Sequence, residues 1–285
     1  EAFRPVLAHN PHIDRLISTQ GPRADADALH TERYDFILDL QNNRRSRMLK
    51  ALLKVPAATV QKFNLQKWLM TTFRARYVIP HITDRYLETL APLGVPPTLR
   101  QLAFYLPPEA EAQAASLLAA HFDDAPYAVV LGASYRTKKW LPEYFVELLN
   151  AIGKPVILLG GKDDRNEADY ITPRLTCRHY DATGRHDLHT SAALMRGCRF
   201  VITHDTGLMH IAAAFGMKLL TIWGNTVPAF GMTPYGAPFD VAEVADLGCR
   251  PCSKLGYGRC PRGHFRCMKR LTPQAVLAGS PWLLD

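Results

Sequence analysis

The chain has 285 residues, 47% hydrophobic and 21% charged, a balance that supports a packed globular core and excludes a disordered or fibrous chain. No apolar run reaches the roughly 18 residues a bilayer-spanning helix needs, which excludes a helical membrane span. The net charge of +8 is concentrated: ten Lys/Arg stand against one acid, Asp84, between Gln41 and Tyr86, and seven basic residues with no acid lie between Cys249 and Arg270. Such patches draw anions, whether nucleic acid, anionic lipid or a phosphorylated acceptor.

In chain order, Tyr34–Leu40 (YDFILDL) reads as a buried strand, followed by a basic helix from about Asn43 to Leu53 and a second short strand at Ala75–Ile79. The proline-rich stretch Gly94–Pro108 reads as a crossing between two domains. Ala128–Gly132 is the next expected strand. Leu141–Ile152 is an expected helix, with Pro142 in its first turn, Phe145, Leu148, Leu149 and Ile152 facing inward, and Gly153 past its end. Pro155–Leu159 reads as a strand, and Asn166–Leu175 and Asp187–Arg196 as helices. Then come a strand at Phe200–Thr203, a small-residue helix at Leu208–Phe215 closed by Gly216, and a strand at Lys218–Trp223. Strand and helix alternating at this spacing imply a parallel sheet covered on both faces. Ligands of such sheets bind outside the carboxyl ends of the strands, where Ser134, Gly161, Asp205 and Gly224 fall.

The join His204-Asp205-Thr206-Gly207 carries the most chemical information. A helix that starts at a glycine turn offers unpaired N–H groups and about half a positive charge, a site for a diphosphate. Asp205 can cap that helix or accept sugar hydroxyls, and His210 sits one turn in. The plainer reading is an ordinary strand–helix junction with Asp205 as its N-cap. Cys249, Cys252, Cys260 and Cys267 form C-x2-C-x7-C-x6-C with His264 between the last two. Reduced thiols packed as small hydrophobes are preferred here, a four-thiolate structural zinc site is the next reading, and a disulfide comes last. Cys177 and Cys198 are expected as buried thiols.

Several segments resemble glycosyltransferase family 9. They are VLGASYRTKKWLPEYF at Val130–Phe145, LLGGKDD at Leu158–Asp164, HDTGLMHIAAAFG followed by WGNTVP, and the cysteine-rich CRPCSKLGYGRCPRGHFRCM. Upstream, HNPHIDRLIST, YDFILDLQNNRRS and LQKWLMTTFRARYVIPHITDRY are similar to the amino-terminal half of these proteins, so the likeness spans nearly the whole chain. The resemblance implies an α/β fold of GT-B type with two Rossmann-like domains: an acceptor-side domain with linker at 1–108 and a nucleotide-sugar domain at 109–285. The latter would include the Cys-rich segment 249–267 and a C-terminal helix. It further implies heptosyl transfer from ADP-heptose to a lipopolysaccharide core acceptor, with inversion and with no metal or other cofactor needed for catalysis. Ser134, Lys139, Asp205, Thr206, Gly207 and His210 match donor positions, and Lys139 would stabilise the leaving ADP, in keeping with charge stabilisation by fixed donors.

The family's Ser-x-x-Gly-Asp segment, whose Asp is its general base, does not occur in the chain. About fifty residues are therefore expected upstream of Glu1, including the first strands of the acceptor-side domain, so that this domain is expected to be incomplete. Asp39 ends a strand in the right domain but reads as a simple cap. The basic block, represented by Arg44, Arg45 and Arg47, would meet an anionic acceptor at the cytoplasmic face of the inner membrane, with peripheral contact to its surface and no nucleic acid as partner. The alternatives are another nucleotide-sugar-using enzyme of the same architecture, an epimerase or a different sugar transferase, and a basic zinc-dependent nucleic-acid-binding protein; the last leaves the Asp-Thr-Gly turn unexplained.

Overall fold

The computed structural model describes residues 3–97 and 101–284. The amino-terminal half comprises α1 (Arg4–Leu7), α2 (Pro22–His30), β1 (Ile37–Asp39), α3 (Arg44–Leu53), β2 (Ala57–Thr59), α4 (Asn64–Phe73) and α5 (Ile82–Leu87). Strands β1 and β2 pair in parallel, Leu38 opposite Ala58. Helix α3 begins with a capping box, Asn43 accepting from the Ser46 amide while the Ser46 hydroxyl accepts from the Asn43 amide, so two otherwise orphaned N–H groups are satisfied. Of the proline-rich crossing, residues 98–100 lie outside the described ones.

The remainder is regular. It runs α6 (Pro108–His121), β3 (Tyr127–Val130), α7 (Pro142–Ile152), β4 (Val156–Leu159), α8 (Arg165–Ile171), β5 (His179–Asp181), α9 (Leu188–Arg196), β6 (Phe200–His204), α10 (Gly207–Ala214), β7 (Leu219–Trp223) and β8 (Phe239–Glu243). Two short helices, α11 (Arg266–Lys269) and α12 (Pro273–Gly279), follow. The six strands form one parallel sheet in the order β5-β4-β3-β6-β7-β8. Counted within the domain that is 3-2-1-4-5-6, the order of a dinucleotide-binding fold. The chain changes direction of travel between β3 and β6, and the crevice for a ligand opens there.

The core follows from the side-chain period of a strand. Along β3, Tyr127 and Val129 pack under α7, α8 and α12, and Ala128 and Val130 pack under α6, α9 and α10. A sheet buried on both faces needs continuous apolar strands, which is why Tyr127–Val130, Val156–Leu159 and Leu219–Trp223 carry almost no polar residue. The inward face expected for α7 is observed: Phe145, Leu148, Leu149 and Ile152 are buried, Pro142 opens the helix, and Gly153 closes it with a left-handed φ of 67°.

The amino-terminal half departs from the sequence expectation in two places. Tyr34–Leu40 contributes only the three residues of β1, and Leu38 is 39% exposed, because a two-stranded sheet leaves one edge and part of a face uncovered. Ala75–Ile79 is not a strand. Arg74 closes α4 in the left-handed region, and the segment after it is spent on the domain joint: Val78 is 91% exposed, while the Ile79 amide donates to the Ala229 carbonyl at 3.1 Å. The strand that does form, β2, has the weakly strand-forming sequence Ala-Ala-Thr and was not foreseen.

The joint is tight around Gly231. Its φ is +70°, its carbonyl accepts the Ile82 amide at 2.8 Å, and a Cβ there would lie 2.7 Å from the Ile79 carbonyl oxygen and closer still to that of Pro80. Backbone cannot retreat as a flexible side chain can. Gly231→Ala is expected to destabilise the protein by more than about 1–2 kcal/mol, the cost of the left-handed backbone alone. Urea denaturation checks this; an unchanged midpoint would mean that the joint does not hold these atoms together in solution.

Candidate donor-binding site

The carboxyl ends of β3, β4, β6 and β7 meet at one rim. After β3 the chain forms a 3-10 turn, Arg136–Lys138, ahead of α7. Lys139-Trp140 follows this turn and precedes α7, so Lys-Trp does not open the helix. Lys138 is the last residue of the turn and Lys139 is already extended, and the two adjacent lysines point to different partners. Lys138 Nζ lies 2.7 Å from Asp205 Oδ2 and 3.3 Å from the Asp205 carbonyl. Lys139 Nζ lies 2.6 Å from Asp164 Oδ1 and 3.0 Å from Glu167 Oε1. Burial opposes the charge on Lys139, but the two carboxylates outweigh it and hold its ammonium above the usual lysine range.

At the end of β6, Thr206 occupies the N-cap position of α10 in an extended conformation, and no side chain caps the helix. Asp205 is thus not the cap that its sequence position suggested. Its carboxylate instead takes Lys138 and the Thr226 hydroxyl, the latter at 2.9 Å. A Cβ on Gly207 would meet nothing within 4 Å, so the first turn of α10 is open with its N–H groups unfilled. His210 stands one turn in. Burial lowers its pKa; Asp205 acts against that, and His81 and Lys138 add to it. Ser134 is exposed in the loop after β3.

Next to this turn, Gly132, Ala133, Gly160, Gly161 and Thr206 line a cavity of about 230 Å³. Asp164 forms its floor: its Oδ2 accepts the Gly161 amide at 2.8 Å. Side chains at Gly132 or Gly160 would collide with Asp164, so the glycines at these strand ends make the space. The structure therefore gathers Lys138, Asp205, Thr206, Gly207 and His210 at one helix end, with Ser134 on the bordering loop, and seats Lys139 behind them. Arg44, Arg45 and Arg47 are exposed on α3 in the other half. Asp39 is a cap: burial opposes its ionisation, but Lys50, Asn42, Ser46 and Gln41 outweigh it and hold its carboxyl below the usual range.

Sequence reasoning missed three contributors. Lys138 was indistinguishable from its neighbour without the turn's phase. Thr226 is visible in the motif WGNTVP but has no chemistry of its own until Asp205 faces it. His204 is the third: it is fully buried, and its Nε2 accepts the Trp140 amide at 2.9 Å, tying the lysine turn to β6. The Cys-rich segment ties the same turn from the other side, because the Thr137 amide and hydroxyl donate to the Tyr257 carbonyl, at 3.1 Å each, and the Tyr257 amide donates back to the hydroxyl. All six cysteines are free thiols, and Cys198, Cys249 and Cys267 are buried. Burial, before any neighbouring charge, pushes Cys252 and Cys267 up to about 11. Among the described residues no group of three or more His, Cys, Asp or Glu is arranged to hold a metal ion.

His204 makes the fold acid-sensitive. Burial lowers its pKa from 6.5 to about 4. Below pH 6.5 the unfolded chain takes up a proton that the folded chain refuses until about pH 4, so this group subtracts roughly 1.4 kcal/mol of stability per pH unit over that window. In His204→Asn this contribution is absent, and stability measured by urea denaturation should fall less between pH 7 and pH 5 than in the parent. Equal losses in the two proteins would refute the assignment.

The pattern of glycosyltransferase family 9 (heptosyltransferase) matches residues 23–257. A lipopolysaccharide heptosyltransferase 2 of Salmonella typhimurium is 25% identical over 303 residues, covering 96% of this chain and 85% of the relative. Among solved structures, the glycosyl transferase family 9 protein of Veillonella parvula superposes with a TM-score of 0.76 at 23% identity, covering 99% of this chain and 85% of that one. The ADP-heptose lps heptosyltransferase II of E. coli superposes with a TM-score of 0.73 at 20% identity, covering 99% and 86%. Those likenesses identify the fold as GT-B, and the match over most of the length decides the family: the chain belongs to glycosyltransferase family 9.

Proposed function

We propose that this glycosyltransferase moves a heptose from ADP-heptose to an anionic lipopolysaccharide core acceptor, with inversion and without a catalytic metal. The observation that carries the reading is the open N-terminus of α10 with the Lys138–Asp205 pair beside it. The names of the Salmonella and E. coli relatives support the sugar and the pathway. As the bond from the sugar to the diphosphate breaks, negative charge grows on the departing ADP. Unfilled helix N–H groups and a lysine ammonium stabilise that charge where it develops and require no reorganisation at that moment. The adenosine would extend into the space between Gly132 and Gly161, over Asp164. His210, at the same helix end, faces the sugar side.

Lys138 is the ammonium at the rim, so the leaving-group role given on sequence to Lys139 passes to it in this reading. Lys139 then fixes Asp164 and Glu167 from behind. No helix among the described residues is long and apolar enough to cross a membrane, and contact with an anionic membrane surface would fall to the exposed arginines of α3.

Calorimetry tests the donor: ADP should bind and UDP should bind more weakly, and binding of neither, or a preference for UDP, would end the ADP-heptose reading. Lys138→Ala should lower kcat by about 10²–10³, the cost of one lost donor to a developing oxyanion. Lys139→Ala should act mainly on stability, by leaving two buried carboxylates unpaired. The reverse pattern in steady-state kinetics and thermal denaturation would restore Lys139 to the leaving group. Charge reversal at Arg44, Arg45 and Arg47 should raise the acceptor KM and leave donor affinity unchanged, with the effect fading as salt shortens screening below about 8–10 Å. Identical acceptor kinetics at low and high salt would remove α3 from the acceptor site.

A further inference from the structure

The Cys-rich segment holds the loop after β7, and through that loop its hold reaches the donor rim. Beyond Trp223 the chain is neither helix nor strand over residues 224–227. Two groups of the Cys-rich segment fix it there. The Cys252 amide donates to the Asn225 carbonyl at 3.1 Å, and Arg250 Nη2 donates to the Thr226 carbonyl at 2.8 Å. Arg250 is itself clamped: it is buried, its Nη2 also donates to Glu243 Oε2 at 2.8 Å, and its Nη1 donates to the Val244 carbonyl at 2.5 Å. On the opposite side Gly224 lies so close to the lysine turn that a Cβ would stand 2.5 Å from the Thr137 carbonyl oxygen. The loop is thus gripped from two sides.

What the gripped loop presents to the rim is one hydroxyl. Thr226 is 1% exposed, and its Oγ1 donates to Asp205 Oδ2 at 2.9 Å. Lys138 Nζ takes the same oxygen, at 2.7 Å. Both bonds therefore fall on Oδ2, and Oδ1 has no partner among the described residues. A carboxylate turns easily about its last torsion, so the oxygen that faces a ligand is set by what holds the other one. Threonine is a firm anchor because its β-branched side chain is stiff at χ1, provided that its backbone is held. Arg250 supplies that hold: a planar guanidinium can take a carboxylate and two carbonyls at once in a fixed geometry, and a lysine ammonium cannot.

We propose that Arg250 and Thr226 are positioning residues for the donor sugar. The guanidinium fixes the Thr226 backbone, the Thr226 hydroxyl holds Asp205 Oδ2, and Oδ1 is left to accept a hydrogen bond from a sugar hydroxyl. That the ligand is a sugar rests on the function proposed above; the chain of contacts from Arg250 through Thr226 to Asp205 does not. Once a diphosphate engages Lys138, the hydroxyl keeps the carboxylate in place. The Cys-rich segment thereby takes part in donor recognition without touching the donor.

Titration calorimetry of the intact protein with ADP and with ADP-heptose separates this role from general support of the fold. Thr226→Val keeps the shape of the side chain and removes the hydroxyl. It should weaken ADP-heptose binding by about tenfold or more and leave ADP binding unchanged. Thr226→Ser, which restores a hydroxyl, should recover most of the loss. Arg250→Lys should reproduce the pattern of Thr226→Val, and the double variant should bind ADP-heptose no more weakly than Thr226→Val alone, because the arginine acts through the threonine. Circular dichroism with thermal melting confirms that each variant is folded; should Arg250→Lys fail to fold, Thr226→Val and its serine rescue carry the test. Unaltered ADP-heptose binding in Thr226→Val, equal weakening of ADP and ADP-heptose, or additive losses in the double variant would overturn the assignment. Should the parent bind neither nucleotide, the donor reading falls, and crystal structures decide the positioning role: the Thr226–Asp205 contact should be lost in Arg250→Lys, and its retention would overturn that role.

Discussion

The geometry of the donor rim depends on a hydrogen bond that contains no charge. The Trp140 amide donates to His204 Nε2, inside a core where the imidazole is fully buried and its ring meets Phe145 edge-on at 5.6 Å. His204 ends β6 and immediately precedes Asp205; Trp140 immediately follows the lysine pair. One buried ring therefore sets how far apart the two members of the Lys138–Asp205 pair can stand. The neutral state is essential to this. A protonated Nε2 would be a donor facing a donor, and the turn after β3 would be pushed away from the strand beside it. Trp140 is anchored in turn by its indole N–H, which donates to the Leu271 carbonyl at 2.9 Å, so the constraint reaches the last helices of the chain.

The charges around this pin differ in how fully they are compensated, and the difference separates structural groups from groups that await a ligand. Lys139 is buried between two carboxylates, Asp164 buried and Glu167 partly so, and the attraction is strengthened where water is kept away. Lys138 and Asp205 are paired but bordered by open helix N–H groups, so an incoming diphosphate can take the lysine without stranding the acid, which keeps the Thr226 hydroxyl.

Much of the carboxyl-terminal half is legible in the sequence because burial on both faces of a parallel sheet forces long apolar strands, and because Pro142 and Gly153 bracket α7 unambiguously. The Asp-Thr-Gly turn is legible as a strand–helix junction at the carboxyl edge of the sheet, although the cap that Asp205 suggests there is not made. The amino-terminal half is harder. With three residues per strand and one uncovered face, β1 and β2 lack the periodicity that identifies strands, and Ala75–Ile79 imitates a strand while serving as a contact. At the site, what sequence cannot supply is phase. Lys138 ends a 3-10 turn and Lys139 leaves it in extended backbone, and that step separates the open rim from a buried ion pair. The buried role of His204 was equally hidden, since its partner, the Trp140 amide, lies 64 positions away.

The joint between the halves has a property that bears on how such enzymes diversify. Ile79 and Ile82 donate amides to the carbonyls of Ala229 and Gly231, His81 Nε2 lies 2.8 Å from the Thr233 carbonyl, and Arg74 Nε donates to the Gly248 carbonyl at 3.0 Å. Side chains meet there as well: the Tyr235 hydroxyl donates to Asp84 at 2.7 Å, and Met70 and Ile79 pack with Phe230 in one apolar cluster bordered by Phe63, Val227, Ala229 and Met232. The amino-terminal half thus meets both the backbone and the apolar side chains of the segment after β7. In a joint of that kind a change of size at Phe230 must be absorbed by Met70 or Ile79 in the other half. The two halves are therefore constrained together at these positions, and substitutions on the two sides are expected to couple energetically, so neither half can diverge at the joint without the other.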